Sequence, residues 1–449
     1  MFKRYWEKSK TQILGDWPRS GFFGEAIKRF FVWKCLLWRD RIGLANGDHS
    51  SILCPHLHKS MFLKFLLFFA MSAFALGFPA APLVFEGKEG PGKGKHIVFI
   101  ANDHEYRSEE TCPLVARILA KHHGFKCTVL FGLDTLGNIQ AGGAPIPNIE
   151  VLKDADLLFF FTRFMKLPDD QVDALVDYFE RGGPTIALRT STHCFNGQEG
   201  KWAKLNFNYD GEDYRGGLGE QIYGNTWHNS RGQGHYGQNH KKGSRLSPVE
   251  GASHPILTGV TSFHGYSGAY ISRLPAEASP LLQVQVLDTF EPSDKLAAGK
   301  EMVDAGWTRS HYIAPSGAKK EARVVYSSFG ASEDLKDESA RRFLVNASYW
   351  ALELEEQIKA DSEVSFVGGF SPSPYTTGAL FREDVKPSDL AGWEGSVMPE
   401  GSKLSGIKNP NKKQRGRIYN VLKNRPAVVE MIKKSDPKFD LERFKSSKK

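Results

Sequence analysis

With 449 residues, 41% of them hydrophobic and only five cysteines, the chain is long enough for one large core with appendages. It is too poor in cysteine to be a disulfide scaffold. The net charge of +8 is uneven: residues 1–60 carry +6 and residues 402–449 carry +11, which leaves −9 between them. A mildly acidic centre argues against a nucleic-acid enzyme, because phosphate contacts need positive charge on the domain itself.

Residues 1–60 read as a leader outside the working protein, with translation starting at Met61. Residues 61–81 have the build of a secretory signal: Lys64, a short apolar core, and small residues at Ala73 and Ala75 that suit a cleavage site. A mature protein beginning between Leu76 and Pro82, exported to the periplasm or beyond, is expected. The alternative keeps residues 65–83 as an uncleaved membrane anchor. Residues 82–94 form a linker with Gly87, Gly90, Gly92 and Gly94, and the domain starts at Lys95.

The segment His96–Ala101 predicts a strand that ends abruptly at Asp103, His104, Glu105, Tyr106 and Arg107. A helix follows, with Ser108 as N-cap, Glu109 and Glu110 in its first turn and Gly124 as its stop. Strands follow at 126–131 and 157–161, the latter a continuous apolar run of the kind buried on both faces of a parallel sheet. Val172, Leu175, Val176 and Phe179 predict a second helix, and 185–189 and 323–328 predict further strands. A closing helix carries Phe343, Ala347, Trp350 and Leu354, with Ser332 as N-cap. This alternation implies an α/β fold with a doubly wound, mostly parallel sheet. From Phe195 to Glu250 periodicity gives way to Gly, His, Trp and Tyr, which suggests an ordered insertion over a site. The domain is expected to end at residue 355. A Pro/Gly/Ser-rich extension (356–401) and a basic, mobile tail (402–449) follow it. Cys112, Cys127 and Cys194 read as buried thiols, although a Cys112–Cys127 bridge is open in an oxidising compartment.

Asp103-His104-Glu105-Tyr106-Arg107, Phe161-Thr162-Arg163-Phe164, Leu188-Arg189-Thr190-Ser191-Thr192-His193, His254-Pro255-Ile256-Leu257-Thr258-Gly259 and Arg323 to Ala331 occur in an order that resembles the ThuA-like, or trehalose-utilisation, family over about Lys95 to Leu354. That resemblance implies a flavodoxin-like sheet similar to class I glutamine amidotransferases. It also implies a link to disaccharides and their keto forms. The amidotransferase nucleophile is a cysteine on the turn where this chain has Arg189, so glutamine hydrolysis is not expected. Relatives often show a histidine after the last-strand glycine, where this chain has Ala331.

Strand ends on one sheet edge should gather these side chains around one cleft. Glu105, His193 and Asp103 are the candidates for proton transfer. His104, Tyr106, Arg107, Arg163, Arg189, Thr192, Trp227 and His228 are candidates for substrate contact, the arginines as hydrogen-bonding forks and Trp227 as a stacking surface for a sugar ring. Arg231, His235 and His240 extend the lid. No histidine pair has the helical spacing of a zinc motif, so no metal or cofactor is assigned, although the His cluster leaves room for one. The function expected is acid/base chemistry on a small carbohydrate, by hydrolysis, elimination or isomerisation. The alternatives are a non-catalytic sugar-binding or scaffold module and a membrane-tethered interaction protein. No nucleic-acid partner is expected, and the oligomeric state is left open.

Overall fold

The computed structural model describes residues 81–445 apart from 104, 141, 143–144, 228–233, 237–241 and 400. The leader and all of the signal or anchor segment up to residue 80 therefore lie outside the described residues, as do His104, His228, Arg231 and His240. In chain order the strands are β1 (Leu83–Glu86), β2 (His96–Asn102), β3 (Lys126–Phe131), β4 (Leu157–Thr162), β5 (Thr185–Leu188), β6 (Gly234–Tyr236), β7 (Ser244–Pro248), β8 (Phe263–Gly265), β9 (Ala269–Ile271), β10 (Ser279–Val286), β11 (Val303–Ile313) and β12 (Lys319–Ser327). The α-helices are α1 (Ser108–His123), α2 (Asp169–Glu180), α3 (Glu338–Ala351), α4 (Lys412–Leu422) and α5 (Pro426–Ser435).

Ten strands form one sheet in the order β1-β3-β2-β4-β5-β12-β11-β10-β7-β8, and β6 pairs with β9 in a separate ribbon. The block β3-β2-β4-β5-β12 is parallel throughout, with Phe99 opposite Phe159 and Val325 opposite Ile186. The α/β fold and its parallel sheet agree with the sequence expectation. Counted among themselves, these five strands have the flavodoxin-like order 2-1-3-4-5, which reverses direction between β2 and β4. An antiparallel wing of β11, β10, β7 and β8 extends one side, and β1 closes the other.

The apolar runs of β2 and β4 are buried on both faces because their alternate residues feed two cores. Ile97, Phe99, Phe159, Phe161 and Val325 pack with α1 and α3 on one face. Val98, Ile100, Leu158, Phe160 and Val324 pack with α2 on the other. Gly124 ends α1 at φ 80°, with its N–H donating to the Ala120 carbonyl and the Phe125 N–H donating to that of Leu119. Ser108 begins α1 rather than capping it: Arg107 holds the cap position at φ 67°, and Ser108 Oγ accepts from Asp103 N at 2.8 Å.

Three expectations change. The linker includes a strand, since β1 pairs antiparallel with β3. The closing helix starts at Glu338 with Asp337 as its cap, after a separate 3-10 turn at Ser332–Lys336. The described residues beyond 355 pack as an integral part of the domain. Val364, Tyr375, Leu390 and Val397 join the main core, and α4 and α5 close a small core around Leu380, Ile418, Val421 and Ile432. The physical reason is that α1 is buried on all sides from Ser108 to Ala120. Its Arg117 is fully buried and donates to the carbonyls of Val367, Leu390, Gly395 and Ser396. Among the described residues no helix is long and apolar enough to cross a membrane.

Candidate functional site

The strand order reverses between β2 and β4, and open α/β sheets bind ligands in the crevice that such a reversal forms beyond the carboxyl ends of the strands. Asp103 builds the loop after β2. Its Oδ1 accepts from Glu105 N at 2.7 Å and from Tyr106 N, and its Oδ2 accepts from Thr190 Oγ1 at 2.6 Å. This turn aims Glu105 across the crevice at the loop after β4, where Arg163 Nη2 lies 3.0 Å from Glu105 Oε2. Both side chains stay slightly open to solvent, at 11% and 17%. Burial works against the Arg163 charge, but the carboxylates of Glu105 and Asp103 outweigh it and hold its pKa above the ordinary value.

The turn after β5 supplies the other wall. His193 is buried, with its ring centroid 5.1 Å from Phe164 and 5.2 Å from Trp227. Trp227 in turn lies 4.8 Å from both His235 and Tyr270. The insertion thus folds its tryptophan onto the strand ends, and it does so through a close approach: a Cβ on Gly219 would meet the Thr192 carbonyl oxygen at 1.9 Å. His235 sits within electrostatic reach of Glu105, Arg163 and Arg189. Burial, then the two guanidinium charges, lowers its pKa.

Glu105, Arg163, His193 and Trp227 therefore lie around the same strand ends, and His235 and Tyr270 join them. Other predicted residues stand behind the wall. Arg189 occupies the turn at φ 46° and is fully buried. Its guanidinium is sandwiched between the rings of Tyr106 at 3.9 Å and Tyr270 at 4.3 Å. It donates to the carbonyls of Ser267 at 2.6 Å and Ser328 at 2.7 Å. These bonds replace the substrate contacts expected of it. Arg107 likewise turns away from the crevice and donates to Thr376 O and Ala379 O. Tyr106 and Thr192 are fully buried, and Asp103 has both oxygens engaged within the loop. Asp334, which sequence reasoning passed over, accepts from the N–H groups of Tyr266, Ser267, Gly330 and Ala331 and from Ser267 Oγ. It fixes the carbonyls that hold Arg189. Its only signal was a position in the short connection between the last strand and the closing helix.

Cys112, Cys127 and Cys194 are free and buried, so the optional bridge is absent. Burial pushes the Cys194 thiol up, which is unsuited to a nucleophile. Among the described residues no cluster of three His, Cys, Asp or Glu side chains could hold a metal.

No family model matches the chain, and no curated protein matches it. Solved structures do. A protein described as ThuA-like from Bacteroides uniformis is 13% identical, covering 61% of this chain and 95% of its own, with a TM-score of 0.35. Another from Parabacteroides merdae is 12% identical over 64% of this chain and 95% of its own, also with a TM-score of 0.35. The glutaminase domain of Trypanosoma brucei CTPS, with bound acivicin, is 10% identical over 61% of this chain and 97% of its own, with a TM-score of 0.29. Two of the three carry the family name that the motifs suggested. The fold itself rests on the strand order given above.

Proposed function

We propose that this chain is an exported, ThuA-like protein that binds a small carbohydrate or keto-sugar at the β2–β4 crevice and acts on it by acid/base chemistry. The observation that carries the reading is the Glu105–Arg163 pair at 3.0 Å beside the ring wall of His193 and Trp227. A carboxylate beside a guanidinium offers a charge-assisted acceptor and a donor fork for vicinal hydroxyls or an enediolate, and the indole face suits the apolar side of a pyranose. In this reading Glu105 moves the proton, His193 serves as its acid or base partner, and Arg163 steadies developing negative charge. A second reading, binding without turnover, is favoured by one fact: Asp103 and Arg189 are consumed by internal hydrogen bonds.

The test is a panel of disaccharides and their 3-keto forms, read for both binding and product. Glu105→Gln and His193→Ala should abolish turnover with little change in thermal stability. Binding that survives in the wild type without any product would select the second reading. No binding by any sugar would end both.

A further inference from the structure

A continuous column of rings and guanidinium groups runs from the C-terminal helices to the candidate site. Arg425, at the start of α5, lies 5.6 Å from the Tyr375 ring, and Tyr375 stacks on Tyr106 with centroids 5.2 Å apart and planes 18° apart. Tyr106 faces Arg189 at 3.9 Å, Arg189 faces Tyr270 at 4.3 Å, and Tyr270 meets Trp227 at 4.8 Å. Trp227 then contacts His193 and His235. Tyr375, Tyr106, Arg189 and Tyr270 are almost wholly buried. The far end is pinned, because Arg425 Nη1 lies 2.5 Å from Glu333 Oε2 with both side chains out of solvent.

We infer that Tyr375 and Arg425 are positioning residues: the C-terminal segment holds the Glu105 loop and the Trp227–His193–His235 wall in place through this stack. Tyr106 is bonded directly to Glu105 in the chain, so a shift of its ring moves the carboxylate. Arg189 cannot follow a displaced Tyr106 without leaving the carbonyls of Ser267, Gly268 and Ser328. Close-packed interiors transmit such displacements instead of absorbing them. The same segment grips the loop a second time, since Arg107 donates to Thr376 O and Ala379 O. The inference rests on the reading of this crevice as the working site.

The experiment uses the full chain and needs no sugar, so its failure is separate from failure of the carbohydrate reading. The ring proton signals of His193 and His235 are followed by NMR, assigned through His193→Gln and His235→Gln. Tyr375→Ala should move both signals by several linewidths, and Tyr375→Phe, which keeps the ring, should return them to their wild-type positions. Arg425→Gln should move them in the same sense by a smaller amount. Unmoved signals in a folded Tyr375→Ala protein would overturn the proposal, as would failure of Tyr375→Phe to restore them. If Tyr375→Ala does not fold, Tyr375→Leu keeps most of the volume without the ring, and unmoved signals there overturn it equally.

Discussion

Glu109 offers a quantitative test of how α1 is buried. It stands in the first turn of the helix at 3% exposure, its two carboxylate oxygens have no side-chain hydrogen-bond partner among the described residues, and Arg107 Nη1 is 4.0 Å away. Desolvation raises its pKa from 4.5 to about 8, opposed by Arg107 and assisted by Glu110. The folded state thus keeps a proton that the unfolded chain releases, and the stability this group contributes is complete below 4.5 and is lost as pH rises to about 8. Each pH unit across that interval is worth about 1.4 kcal/mol, so the whole loss is about 5 kcal/mol. Glu109→Gln keeps the shape and removes the proton equilibrium. In guanidinium denaturation series across the interval, the variant should match the wild type at the acid end and exceed it by several kcal/mol at the alkaline end. Parallel stability curves for the two proteins would refute the reasoning.

Other expectations follow the same physics. Burial lowers the His123 pKa from 6.5 to about 4 while its ring bonds Tyr349 Oη at 2.9 Å. The unfolded chain therefore takes up the proton first, and stability should fall by about 3 kcal/mol as pH drops through that window; His123→Asn should flatten this acid arm in the same denaturation series. Phe159, fully buried and 4.7 Å from the Phe99 ring, should cost about 3–5 kcal/mol on replacement by Ala, read from the denaturation midpoint. Gly219→Ala drives a methyl group into the Thr192 backbone and should cost about 1–3 kcal/mol. It should also disturb the fluorescence of Trp227, which rests on His193 next to Thr192, and an unchanged spectrum would argue against this route.

The parallel block was legible because residues such as Phe159 and Phe160 feed opposite cores, so both had to be apolar. The crevice followed from strand ends alone, which is why Glu105, Arg163 and His193 could be named together. What sequence could not reveal was orientation. Arg107, Arg163 and Arg189 look alike as letters, yet only Arg163 keeps its fork at the crevice, while carbonyls from distant loops capture the other two. The antiparallel wing stayed hidden because β11 carries a continuous buried run, Ala305 to Thr308, between half-open ends, and its pairings with β10 and β12 shift register. The C-terminal segment was misread for a compositional reason: prolines, glycines and lysines resemble a solvated tail. Its few apolar side chains suffice because buried arginines supply much of the attachment.

Arg117 finds its acceptors 250 to 279 residues further along the chain. During synthesis the polypeptide emerges from its amino end, so α1 must wait with an unsatisfied guanidinium until nearly the whole chain exists. Contacts of such sequence separation slow folding, because loop closure has to precede any gain from them. A ribosome stalled short of residue 367 would therefore carry a domain with every strand of the central sheet but a helix that cannot settle, the form most exposed to proteases and chaperones.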